Sequence, residues 1–148
     1  MIKLSVANDY SKRTGLRYSS ISDYSGEDFY HAILNAQFKK AYETGDKLEL
    51  SFDGTEDGCG PSFIDESVGN LVYDFSLDVV KKHLLIISDD MPMWLDMIND
   101  ETFPQWEDRR KNGPSPKITE EHSAWYRLSN GKLENKIWIS QITPKNKL

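Results

Sequence analysis

Cysteine is almost missing from this chain. Cys59 is the only one in 148 residues, which excludes an internal disulfide and points to a reducing, cytoplasmic setting. Histidine is scarce too. His31, His83 and His122 have neither the i,i+4 spacing nor the cysteine partners of a zinc site, so no metal or cofactor is expected, and His31 reads as a surface histidine. Long apolar runs are absent. The four residues Leu84–Ile87 fall far short of a bilayer span, and residues 1–13 carry no apolar h-region. The phosphate-binding pattern G-x-x-x-x-G-K-[ST] and the nucleophile elbow G-x-S-x-G are also missing. The acidic turn from Asp53 to Gly58 opens like a calcium loop, but its twelfth position would be Ile64 where a bidentate glutamate is required.

Cations are short in the body of the chain. Residues 101–148 carry nine Lys/Arg against six Asp/Glu, so the first hundred residues hold nine basic and eighteen acidic side chains. That balance makes nucleic acid an unlikely partner for the body, since phosphate contacts need cations. What is present is the composition of a globular protein: 38% hydrophobic residues, 28% charged, and seventeen aromatics. The length is that of one domain with a sizeable core.

The most regular stretch is 48–75. Leu48, Leu50 and Phe52 alternate with Glu49, Ser51 and Asp53, the period of a strand with one apolar face. A turn with three glycines and a proline, Gly54–Pro61, separates it from a helix beginning at Ser62. Ile64, Val68, Leu71, Val72 and Phe75 form that helix's apolar stripe, and Ser62 with Asp65 has the form of a capping box. Before this unit, Ile2–Val6 alternates as a strand. A polar connection follows, with a short strand expected near Arg17–Ile21; Lys12, Arg13 and Arg17 read there as ordinary polar residues. Ser25 is placed to cap a helix over Gly26–Glu43, stopped by Gly45. After it, Leu84–Ile87 has the form of a buried central strand, and Ser88–Asp90 caps a short helix with Trp94, Leu95 and Ile98 inward. Residues 103–116, with three prolines and a glycine, read as a linker or exposed arm. Ala124–Leu128 and Ile137–Ile142 read as a hairpin around Asn130-Gly131, with Trp125, Tyr126 and Trp138 stacked across it. Strand–helix alternation implies an α/β fold with right-handed crossovers.

Chemistry in the central turn is limited. Cys59 before a helix would feel a dipole that favours thiolate, but Glu56 and Asp57 oppose it and no histidine is near in sequence. Asp89 and Asp90 serve as caps more readily than as an acid–base pair. Ser62 has two readings: a simple helix cap, or a phosphoacceptor whose dianion would sit against the helix dipole.

Ser25-Gly26-Glu27 opening a helix, the strand Leu48–Asp53, the run from Pro61 through Ser62-Phe63-Ile64-Asp65-Glu66 to Leu71, and the strand Leu84–Ile87 together resemble the STAS-like domain family. These are small bacterial and phage-borne proteins related to anti-sigma factor antagonists. The resemblance covers residues 1–100. It implies a mixed sheet with helices mainly on one face, a non-enzymatic protein-interaction module, and partner switching with a GHKL-type ATP-binding, kinase-like protein. In STAS proteins proper the phosphoacceptor is a serine or threonine at the start of the helix after a central strand, and the resemblance carries that position to Ser62. Residues 101–148 lie outside the resemblance, as a C-terminal extension with a β-hairpin packed on the same domain.

Three functions follow. In the first, a protein regulator binds through Asp57, Cys59, Pro61, Ser62 and Phe63. In the second, a phage or mobile-element inhibitor uses the extension, with Trp106, Arg109, Arg110 and Trp125 as anchors, since Arg and Trp are typical hot spots. The third is a small-ligand protein or enzyme, which needs a concave site with perturbed titratable groups. The sequence leaves the oligomeric state open.

Overall fold

A computed structural model describes residues 1–138. Strands β1 (Ile2–Ser5), β2 (Leu48–Ser51) and β3 (Leu84–Ile87) form one parallel sheet in the order β1-β2-β3. Ile2 is level with Leu48, and Leu48 with Leu84. The expected mixed sheet is therefore parallel throughout, because the antiparallel pair forms a sheet of its own. Among the described residues β3 is an edge strand and not the central one; β2 is central, with Leu48 and Leu50 fully buried. A four-residue apolar run cannot by itself distinguish the middle of a sheet from an edge.

The first helical stretch starts as expected. Ser25 Oγ accepts from the Asp28 amide at 3.0 Å, and α1 (Gly26–Phe29) leads through a π-helical turn, Tyr30–Leu34, into α2 (Asn35–Thr44). Gly45, at φ 70°, ends it in the left-handed region, where glycine has no Cβ penalty. The π turn inserts a residue into the helical repeat. His31, at the start of this turn, is a buried residue, 5% exposed, and not a surface histidine, because His122 and Trp125 pack over it.

Helix α3 (Pro61–Phe75) is the spine of the core. Phe63, Ile64, Val68, Leu71 and Val72 are fully buried. Phe29 stacks on Phe63 with centroids 5.6 Å apart, and Phe38 meets Phe75 edge-on at 4.8 Å. The backbone breaks at Ser76, φ 81°, whose hydroxyl caps α4 (Leu77–His83). This short helix runs directly into β3. Residues 17–21 form turns and no strand.

The stretch read as a linker is helical. α5 (Met93–Met97) passes through a π turn, Ile98–Thr102, into α6 (Phe103–Asn112). Pro104 falls in the first turn of α6, where its missing N–H costs nothing. Phe103 and Trp106 are buried at 7% and 4% exposure. Trp106 lies across α3 at Gly69, where even a single added methyl would overlap the indole. Strands β4 (Trp125–Ser129) and β5 (Lys132–Lys136) form the hairpin, with Asn130 and Gly131 at φ 51° and 79°, the signature of a type I′ turn. β5 thus lies ahead of the expected strand 137–142: Ile137 and Trp138 are not in a strand, and 139–142 lie outside the described residues.

Candidate functional site

The C-terminal ends of β2 and β3 are laced together by main chain and carboxylates. The Asp53 carboxylate accepts from the amides of Asp89 (3.1 Å) and Asp90 (2.9 Å), and Asp90 accepts from the Gly54 amide at 3.0 Å. This fixes the turn that carries the chain to α3. Asp89 and Asp90 therefore close a turn and cap no helix, since α5 has no side-chain cap. Asp57 holds φ 60° beside Gly58 at φ 75°, so the tip of the turn is locked in left-handed backbone and Asp57 projects from it, exposed.

Cys59 faces inward. It is 3% exposed, with its sulfur near the Thr55 hydroxyl and the Phe52 carbonyl. Burial pushes the thiol up from its ordinary range, opposite to what a nucleophile needs. Gly60 is the N-cap of α3, Pro61 occupies the first turn, and no side chain caps the helix. Ser62 is therefore one position inside the helix and closes no capping box. Asp65 turns instead to Arg17 Nη1 (2.7 Å) and the Thr102 hydroxyl (2.9 Å). Pro61 is exposed and Ser62 half-buried, whereas Phe63 is wholly buried. Of the five residues expected around this turn, Asp57, Pro61 and Ser62 form a rim, and Cys59 and Phe63 hold its foundation.

A shallow cleft runs from this rim. Arg17, Pro61, Ser62, Asp65, Thr102 and Gln105 are among its walls. Arg17 reaches both Asp65 and Glu66, the latter at 3.2 Å. Glu66 is 1% exposed; burial raises its pKa to about 7, against the opposing pull of hydrogen bonds from Asn70 and Arg17. Arg17 and Glu66 were not singled out as site residues from the sequence. Glu66 and Asn70 lie on the face of α3 opposite its apolar stripe, so periodicity gave no sign of their burial; only their i,i+4 spacing, which permits the hydrogen bond between them, was legible.

The extension supplies a second polar centre, deep in the molecule. Glu27 is fully buried and accepts from the Thr119 hydroxyl (2.6 Å), the amides of Thr119 (3.0 Å) and Ser19 (3.2 Å), and the His122 ring. Burial alone would raise its pKa, but these hydrogen bonds prevail and hold it below the usual range. His31 stacks on His122 at 4.5 Å and meets Trp125 edge-on at 4.4 Å. Buried there, it is pushed down to about 3. The hairpin is clamped by Asn35, whose side-chain amide donates to the Tyr126 carbonyl (2.9 Å) and accepts from its N–H (2.8 Å). Arg127 pairs with buried Asp74 at 2.6 Å. Trp125 and Trp106 are accordingly core residues, with Trp125 2% exposed, and so cannot serve as surface anchors. Arg109 lies over the Trp106 ring at 4.6 Å and Arg110 pairs with Glu107; both are half-buried.

Among the described residues no three metal-binding side chains cluster, and no helix is long and apolar enough to cross a membrane. An α/β body with a parallel sheet, and a cleft at the start of the helix after the central strand, define the class. Residues 25–93 match the family model described as a STAS-like domain of unknown function. No curated protein matches the chain, and no solved structure does.

Proposed function

We propose that this chain is a non-enzymatic protein-interaction regulator of the anti-sigma-antagonist-like type, acting in the cytoplasm by switching between protein partners, one of them a GHKL-type ATP-binding protein. The contact surface in this reading is the rim Asp57, Pro61 and Ser62 with the adjoining cleft. The observation that carries it is that Ser62, the position corresponding to the phosphoacceptor of STAS proteins proper, stands half-exposed in the first turn of α3 on the same cleft as Arg17. A phosphate there would add a dianion beside Asp65 and compete with both carboxylates for the Arg17 guanidinium. Two right-handed crossovers running the same way across the sheet would also bring the connecting helices mainly to one face, leaving the rim clear at its end.

Titration calorimetry with the partner, captured from native cytosol, tests the reading. Ser62→Asp should weaken binding at least about tenfold, the effect of one lost charge-assisted hydrogen bond, with an unchanged circular dichroism spectrum. Unchanged affinity would remove the switch. The inhibitor reading through the extension draws no support from Trp106 and Trp125, which are buried.

A further inference from the structure

We propose that the β3 edge is a self-association surface that takes the same edge of a second copy of this chain, antiparallel, joining two parallel sheets into one. Among the described residues β2 is the only strand bonded to β3. The Ile87 carbonyl accepts from the Phe52 amide at 2.9 Å. Ile87 and Leu85 therefore turn their main-chain groups to β2, and the alternation of a parallel ladder turns those of Leu84 and Ile86 outward. The Leu84 amide is taken by Val80 at the end of α4. Among the described residues nothing takes the Leu84 carbonyl or either main-chain group of Ile86. Leu85 is 42% exposed, and the strand borders a groove whose walls include Leu95, Ile98 and Phe103. An open apolar edge is a template for strand addition.

Charge identifies the occupant. Lys81 and Lys82 precede the strand, Asp89 and Asp90 follow it, and all four are exposed. An added antiparallel strand must bring acid to the lysine end and base to the aspartate end. The reversed β3 of a second copy does both. Since only even-numbered residues face outward, the two-fold axis must pass through Leu85 or Ile86. In either register the end of α4 that carries Lys81 and Lys82 lies toward the second copy's turn at Asp89 and Asp90. Either gives an isologous pair in which each contact occurs twice. This surface is separate from the Ser62 rim and stands whether or not that rim binds a partner.

Sedimentation equilibrium of the full chain tests the proposal. The wild type is expected to be a dimer. Lys81→Glu with Lys82→Glu makes both ends acidic, and Asp89→Lys with Asp90→Lys makes both ends basic. Each variant alone should raise the dimer Kd at least about tenfold, as like charges replace paired ones, while an equimolar mixture of the two should dimerise again. Asp90 also holds the Gly54 amide, so Asp89→Lys alone is the second basic variant, and circular dichroism checks that each folds. A monomeric wild type, or folded variants whose mixture stays monomeric, would overturn the proposal.

Discussion

Gly69 shows how much one missing methyl decides. Its bare α-carbon lets the Trp106 indole lie flat on α3, and Gly69→Ala should cost about 1–3 kcal/mol through overpacking, read as a lower midpoint in urea denaturation. Glu66 and His31 set opposing pH responses. Glu66 has a raised folded pKa of about 7 against an ordinary 4.5, so the folded state holds its proton longer than the unfolded chain does. Its contribution is fullest below the unfolded value and is lost as pH rises from 4.5 to about 7. His31 is depressed to about 3 from 6.5, so stability drains away as pH falls from 6.5 toward 3, while the unfolded chain takes the proton. In the overlap the two slopes work against each other. Glu66→Gln should therefore leave the acid-side loss unmasked and gain about 1–2 kcal/mol above pH 7; denaturation series from acid to neutral pH check both.

At the scale of elements, the strands and helices with regular apolar spacing were legible: β1, β2, the start of α1 at Ser25, and the stripe of α3. What misled were the π turns. Tyr30–Leu34 and Ile98–Thr102 each add a residue to the helical repeat, so side chains beyond them face a direction that 3.6-residue counting does not give. His31 was misplaced because its cover, His122 and Trp125, comes from a distant segment, and α6 was hidden behind Pro104. The edge position of β3 depended on strand order, which no local pattern encodes. Within the candidate site, the exposed rim could be read from the glycine-rich turn, but Arg17 and Thr102 come from distant segments joined only by tertiary packing. The Asn35 clamp is of the same kind. Asn35→Ala would leave the Tyr126 amide and carbonyl without their partner at a cost of about 1–3 kcal/mol; amide hydrogen exchange should show the loss concentrated at β4.

Across the whole molecule, the segment 101–138 is part of the core and not an appendage. It covers Gly69 with Trp106, answers Glu27 with Thr119 and His122, and neutralises Asp74 with Arg127. Deleting 101–148 should therefore unfold the protein, because it strands two buried carboxylates at about 3–5 kcal/mol each. Loss of the cooperative thermal transition would show it; a truncated chain that melts like the full one would contradict the packing. Loss of partner binding on such a deletion would consequently report loss of fold, and mapping a contact on the extension needs point changes at Arg109 or Arg110.

The hydrogen bonds to Glu27 also impose an order in time. The carboxylate belongs to a helix near the start of the chain, and its ligands Thr119 and His122 come 92 and 95 residues later. A ribosome reads the message in one direction, so every nascent chain passes through a stage in which this acid has been synthesised and its partners have not. The three strands of the parallel sheet are complete by residue 87, yet the Glu27 carboxylate must stay in contact with water until the last third emerges. Completion of the core is thereby deferred to the end of translation.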